Sequence, residues 1–207
     1  MRKIAIVGVG CVVNVLKGQL MSWQDATGMT IDADHFGGVG NDVIDHKGRS
    51  RHVCRSTITE ANARVFGPDA KYLPPRDGAV AGINALAADY DIYLIAPPEL
   101  PGGINVCDFA LLTLIVSCEL SISNIDIDYD LRRANTLRRM HAADLVIDTD
   151  LILLQRAAEK ASGRLIQIMP EAGEPATSGA SPPGIERVVG WEGVGRCFAP
   201  VIKAQAA

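Results

Sequence analysis

The chain has no excess of positive charge, because 20 Lys and Arg residues stand against 24 Asp and Glu residues and the net charge is -4. Without a basic field, the sequence gives no reason to expect binding to nucleic acid or to an anionic membrane. It also lacks the run of ~18 apolar residues that a membrane-spanning helix requires. The nearest run, residues 109–118, is bounded by Asp108 and Glu119. We therefore expect neither nucleic-acid nor membrane partners.

Paired cysteines are missing as well. The five cysteines are scattered, odd in number and never spaced as C-x-x-C, which argues against a disulfide framework and against a zinc knuckle. The apolar run after Arg2 and Lys3 stops at Gly8, which is too short for the core of a signal peptide. These absences favour a cytoplasmic protein with reduced thiols.

What the chain does have is the composition of one soluble globular domain. Of its 207 residues, 48% are hydrophobic and 21% are charged, values that exclude a disordered, collagenous or coiled-coil chain. The length suffices for one sizeable core and is short for two complete domains.

Short apolar runs alternate with helical patterns along most of the chain. The pattern predicts strands at residues 3–9, 29–33, 92–96, 121–127, 145–147 and 165–169. It predicts helices at residues 12–20, 57–66, 131–143 and 151–161, and one capped by Asp77. Residues 109–118 fit either a helix or a strand. Such alternation predicts a doubly wound, three-layer, Rossmann-like α/β fold with a mostly parallel sheet in a single domain.

The segments after the last predicted strand differ in composition from the rest. Residues 1–170 form the predicted α/β domain, and residues 171–184 are rich in Pro, Gly, Ser, Ala and Thr, which predicts a flexible connection or lid. Residues 185–207 are apolar enough to dock on the body or on a partner subunit. If this segment docks on a partner subunit, the protein is a homo-oligomer.

Glycines and polar residues follow the first predicted strand. In open α/β sheets, ligands bind beyond the carboxyl ends of the strands, so we expect Gly8, Gly10, Cys11 and Asn14 to contact a ligand, the two glycines at its phosphate. The spacing is G-x-G-x-x-V, with Val13 in place of the third glycine of a dinucleotide loop. The alternatives are a tight turn after a buried strand and, for Cys11, a small core residue.

The densest polar chemistry lies between residues 32 and 52. Asp32, Asp34, His35 and His46 are the predicted acid/base residues, and Arg49 is a predicted phosphate ligand. The long segment 34–55 is equally typical of a solvated loop.

Further candidates follow later strands and begin a helix. Glu99, Gly102, Gly103 and Asn105 follow the strand at 92–96 and form a predicted binding loop or a rigid crossover. Arg132 shares a helix face with Arg139, which predicts a phosphate-binding stripe or pairing with nearby aspartates. The predicted metal ligands, for Mg²⁺, are Asp32, Asp148 and Asp150.

Two resemblances make a nucleotide plausible. Residues 132–153 resemble the later part of some nucleoside monophosphate kinases and related P-loop kinases, and the glycines at 8, 10, 102 and 103 resemble those of tubulin-like GTPases. The sequence has no G-x-x-x-x-G-K-[ST] loop, so no residue role is carried over.

These features favour an enzyme, a transferase or hydrolase that binds a nucleotide or phosphorylated small metabolite with Mg²⁺ assistance. One alternative is an NAD(P)-dependent oxidoreductase, with Asp32 or Asp34 on the ribose of a bound dinucleotide. Another is a non-catalytic ligand-sensing or assembly subunit. The enzyme hypothesis requires that four segments line the same cavity: residues 8–10, 32–35, 97–103 and 148–150.

Overall fold

The computed structural model describes residues 2–28, 42–44, 47, 50–52, 56–57, 60, 74–95, 124–125, 134–169 and 182–198. In chain order the described elements are β1 (Lys3–Gly8), α1 (Val9–Val12), α2 (Val15–Thr27), β2 (Asp42–Ile44), β3 (Ser50–His52), α3 (Ala79–Leu86), β4 (Tyr90–Ile95), β5 (Asn124–Ile125), α4 (Ala134–Ala142), β6 (Leu145–Asp148), α5 (Leu151–Ala158), β7 (Arg164–Met169), β8 (Ile185–Val189) and α6 (Gly190–Phe198).

Six strands form one sheet in the order β5-β4-β1-β6-β7-β8. Every neighbouring pair in this sheet is parallel. The predicted Rossmann-like α/β class, with a mostly parallel sheet, is therefore confirmed.

Strand β1 lies inside the sheet and is apolar on both faces, as expected for a parallel strand covered by helices on two sides. Ala5 and Val7 point into one core, which also holds residues of α3 and α6. Ile6 points into a second core, which also holds residues of α4 and α5. The two cores and the sheet between them give the predicted three layers.

The chain changes direction across the sheet at β1. From β1 it moves through α3 to β4 on one side, and it later returns through α4 to β6 on the other side of β1. Because α3 and α4 cover opposite faces, the strand order reverses between β1 and β6, and we expect a crevice between the carboxyl ends of these two strands. In open α/β sheets this switch point is where ligands bind.

The helix predicted at residues 12–20 is interrupted. Val13 forms an isolated β-bridge with Pro75, and the backbone N–H of Asn14 donates to the Pro74 carbonyl, so α1 ends after four residues and α2 starts at Val15. The predicted cap at Asp77 is wrong. Gly78 precedes α3 with a φ of 75°, and no side chain caps that helix.

Three strands were not expected from the sequence. Within the segment read as a long polar loop, β2 and β3 pair as an antiparallel ribbon, and the β-branched residues Val43 and Ile44 explain the first of them. Strand β8 joins the sheet beside β7 beyond the predicted last strand. Its sequence, IERVV, mixes charge with apolar residues and so hides the pattern.

The segment from β8 to α6 packs on the body of its own chain. Trp191 and Val194 of α6 belong to the first core, with Cys197 and Phe198 packed against it. At the amino ends of the strands, Arg164 on β7 forms a bidentate ion pair with Glu186 on β8. No described helix has the length and apolar character needed to cross a membrane. Residues 29–33, 61–66, 109–118 and 171–181 lie outside the described part.

Candidate functional site

The switch-point crevice brings a glycine and an aspartate into direct contact. Gly8 is the last residue of β1, and Asp148 is the last residue of β6, the next strand. An ideal Cβ built on Gly8 would lie 2.5 Å from Oδ2 and 2.8 Å from Oδ1 of Asp148. Any side chain at position 8 would displace the carboxylate. The Asp148 side chain therefore occupies space that is free only because residue 8 is glycine. Of the four segments expected to share one site, residues 8–10 and 148–150 are therefore in contact.

The Asp148 carboxyl group is held in a weakly solvated position. The residue is 7% exposed. Burial raises the pKa of Asp148 from 3.8 to about 6, and the nearby charge of Asp150 adds to the rise, while backbone N–H groups of Asp150 and Thr149 oppose it. A carboxyl group with a pKa near 6 can exchange protons close to neutral pH, which is the property required of an acid/base catalyst.

The turn after Asp148 is fixed from both sides. The backbone N–H of Asp150 donates to Oδ1 of Asp148 at 3.0 Å. The Asp150 side chain accepts hydrogen bonds from the backbone N–H groups of Ile152 and Leu153, which makes it the N-cap of α5. On the other side, the side chain of Gln167 donates to the Thr149 carbonyl at 3.1 Å. The carboxylate therefore stands on a turn whose backbone is anchored.

A buried arginine contacts the backbone of α1, the helix that follows β1. Arg76 is 7% exposed, its backbone N–H donates to the Val12 carbonyl, and its Nε donates to the Gly10 carbonyl. Gly10 also lies close to β6, since an ideal Cβ on it would be 2.9 Å from Oγ1 of Thr149. Arg76 and Thr149 therefore both lie next to Gly10 in α1, the helix that follows β1.

Several predicted ligand contacts have structural roles in this arrangement. Cys11 is 0% exposed in the first core, which corrects the expected ligand contact and agrees with its reading as a core residue. Asn14 is the N-cap of α2, because its side chain accepts from the Lys17 backbone N–H at 2.9 Å. Contacts of Gly8 and Gly10 with phosphate stay a prediction. The dinucleotide alternative lacks the long helix expected after the glycine turn, because α1 has only four residues, Val9–Val12, and one of them is Gly10.

The other predicted site residues lie outside the described part of the chain: Asp32, Asp34, His35, His46, Arg49, Glu99, Gly102, Gly103, Asn105 and Arg132. Strand β4 ends at Ile95, which pairs with Gly8. Arg139, the partner predicted for Arg132, lines an apolar pocket of about 310 Å³ on the second face.

The predicted magnesium ligands Asp148 and Asp150 both have hydrogen-bonding roles in the structure. Within the described ranges, no group of three or more His, Cys, Asp and Glu residues could hold a metal ion. One oxygen of Asp148 already accepts an N–H, and Asp150 uses its carboxylate as a helix cap. Binding of Mg²⁺ by Asp148 and Asp150 stays a prediction.

Neither Gln167 nor Arg76 was predicted from the sequence as a site residue. Gln167 interrupts the apolar run of β7 with an amide that is 0% exposed, and such a polar residue inside a buried strand is a usable signal. Arg76 gives no comparable signal, because it stands in a polar stretch, PPRDG, that reads as a turn.

Comparisons with known proteins agree on the fold. No protein-family model and no curated protein matches the sequence. Several solved structures are similar to this chain, and three of them have identities of 12–14%. An L-2-haloacid dehalogenase has 12% identity and a TM-score of 0.54, with 96% of this chain and 100% of that chain covered. A haloacid dehalogenase-like family hydrolase from Xanthomonas campestris has 14% identity and a TM-score of 0.55, with 95% of each chain covered. A hydrolase from Pseudomonas syringae has 13% identity and a TM-score of 0.51, with 96% and 98% covered. At these identities the similarity establishes a shared Rossmann-like α/β fold.

Proposed function

We propose that this chain is a hydrolase that cleaves a small phosphorylated metabolite in the crevice between β1 and β6. The observation that carries the proposal is the buried carboxyl group of Asp148, held at the switch point with a pKa of about 6. Three of the similar structures, named as a haloacid dehalogenase and two hydrolases, support this choice over a transferase.

In this proposal Asp148 is the general base. Its carboxylate accepts a proton from water while the water oxygen attacks phosphorus. The bond between phosphorus and the leaving oxygen breaks, and Asp148 then returns the proton to that oxygen. The products are an alcohol and inorganic phosphate, so charge and atoms balance.

The described part of the crevice offers no second carboxylate at the end of β1, since Gly8 occupies that place. Direct attack by water fits a site of this kind.

The test is turnover of a panel of phosphate monoesters, with 2-haloacids as a second arm because one similar structure is named for that substrate. Each assay is run with Mg²⁺ and with a chelator, which tests the predicted cation. We expect Asp148→Asn to lower kcat by about 100-fold or more, the usual contribution of an acid/base group.

Asp144→Asn is the matched control. Asp144 lies just before β6, at the other end of that strand, and accepts the Ile4 backbone N–H through a carboxylate oxygen, which an asparagine can replace. Full activity in Asp148→Asn would contradict the proposal. So would binding of phosphorylated ligands without turnover by the unmodified protein, which would instead favour the ligand-sensing alternative.

A further inference from the structure

A row of polar side chains crosses the sheet at the level of the crevice. Asp148 on β6 pairs with Gln167 on β7, and Gln167 pairs with Arg187 on β8. Paired residues of neighbouring parallel strands point to the same face of the sheet, so these three side chains lie side by side. Elsewhere on that face β6 and β7 carry Val146 and Leu165, which belong to the second core.

Gln167 is the fully buried member of this row. Its residue is 0% exposed, and a buried amide destabilises a fold unless its hydrogen bonds are made. An apolar side chain would pack more simply at this position of β7. The hydrogen bond from its Nε2 to the Thr149 carbonyl shows what the amide does there.

The Thr149 carbonyl and the Asp150 N–H belong to a single peptide group. A peptide group is planar, so fixing the direction of its carbonyl also fixes the direction of its N–H. That N–H donates to Oδ1 of Asp148 at 3.0 Å. A continuous chain of hydrogen bonds therefore runs from the Gln167 amide, through one peptide plane, to the carboxylate of Asp148.

We infer that Gln167 is a positioning residue for Asp148, acting through the peptide between Thr149 and Asp150. Linked hydrogen bonds polarise one another, so the Gln167 donor strengthens the N–H that holds the carboxylate. The inference rests on the proposed function for its catalytic consequence, because it states how that function's base is aimed. The hydrogen-bond chain itself is a structural claim that needs no activity.

The first test replaces Gln167 with methionine, which keeps the length of the side chain and removes the donor. In ¹H–¹⁵N spectra, the Asp150 amide proton should move upfield, and its exchange with solvent should become about tenfold faster, as expected for loss of one buried hydrogen bond. Ile168→Val is the matched control, because Ile168 is a neighbour on β7 that is 1% exposed in the other core.

The two substitutions separate positioning from general loosening of the strand. Both destabilise β7, but only Gln167→Met should move the Asp150 amide signal. Equal changes in both variants, or none in Gln167→Met, would overturn the inference. If Gln167→Met does not fold, the unmodified protein is examined for scalar coupling across the two hydrogen bonds, and absence of coupling from the Gln167 amide to the Thr149 carbonyl carbon would overturn it.

Activity separates this inference from the proposed function. In an active protein, Gln167→Met should lower kcat by about tenfold with little change in KM, because aiming the base matters more in the transition state than in substrate binding. A changed Asp150 signal in a protein that hydrolyses nothing would sustain the positioning role and reject the hydrolase. Normal kcat with a changed signal would overturn the catalytic consequence.

Discussion

The indole N–H of Trp191 donates a hydrogen bond of 2.7 Å to the carbonyl oxygen of Cys11. This contact joins α6, the last described helix, to α1, the helix that starts directly after Gly8. Trp191 also fills the space that a side chain would occupy on Gly82 of α3, where an ideal Cβ would be 2.2 Å from the indole ring. Helix α6 therefore holds α1 and α3 in place, and α1 directly follows the end of β1.

Replacing Trp191 with phenylalanine should destabilise the fold by about 2 kcal/mol or more, because the Cys11 carbonyl loses a buried donor and part of the indole volume is left empty. Urea denaturation measures the free energy of unfolding. Val189→Ala is the control in the same segment, since Val189 is 71% exposed and should change stability by less than about 0.5 kcal/mol. Equal stability of the two variants would show that the contact does not support the fold.

Gly8→Ala tests the contact between the ends of β1 and β6. Its Cβ would meet the Asp148 carboxylate at 2.5 Å, so the variant should lose about 1–3 kcal/mol of stability through overpacking. In an Asp148→Ala background the same change should be much milder, with a coupling energy of about 1 kcal/mol or more from the double-mutant cycle of denaturation curves.

Gly195→Ala is the control for the effect of glycine itself. Gly195 lies in α6, and an ideal Cβ on it would have no neighbour within 4 Å. Because alanine favours a helix more than glycine does, this variant should be neutral or slightly more stable. Additive free energies in the Gly8 and Asp148 cycle would contradict close contact between the two residues.

The fold could be predicted from the sequence because its signals are local. Strands β1, β4 and β7 are short apolar runs, and helices with capping residues separate several of them, so the parallel arrangement followed from their alternation. Strand β8 was missed because an edge strand is less apolar: Glu186 and Arg187 lie at its centre. The bridge between Val13 and Pro75, which ends α1, depends on residues distant in sequence.

The candidate site was only partly predictable. Gly8 and Asp148 stood at strand ends, which a general rule marks as ligand positions, but their direct contact depends on the strand order, which alternation alone leaves open. Asp150 was read as a metal ligand although an aspartate before an apolar helix is also a cap signal, and that is its role. Arg76 reaches Gly10 across 66 residues of sequence, a distance that local patterns do not bridge.

The pH dependence of turnover should show an acid limb near pH 6. Below the pKa of Asp148, the carboxyl group is protonated and cannot accept a proton from water, so kcat/KM should fall about tenfold per pH unit below about 6 and level off above it. Asp150→Asn removes a charge that raises this pKa and keeps a good helix cap, so its acid limb should lie at lower pH. An unchanged limb would mean that another group controls the rate.

Asp148→Asn should make the protein more stable at pH 7.5 while it removes activity. The folded-state pKa of Asp148 is raised from 3.8 to about 6, so the native state binds this proton more tightly than the unfolded chain does. Stability is therefore lost as pH rises from about 4 to about 6, and the full loss, at most about 3 kcal/mol, persists above that window.

Asparagine carries no charge and can still accept the Asp150 N–H. Urea denaturation should show the gain at pH 7.5 and a much smaller gain at pH 4, whereas Asp89→Asn, at an exposed position, should show neither. A gain of equal size at both pH values would mean that burial of the charged carboxylate is not what destabilises the site, and the case for a strained acid/base group at the end of β6 would fail with it.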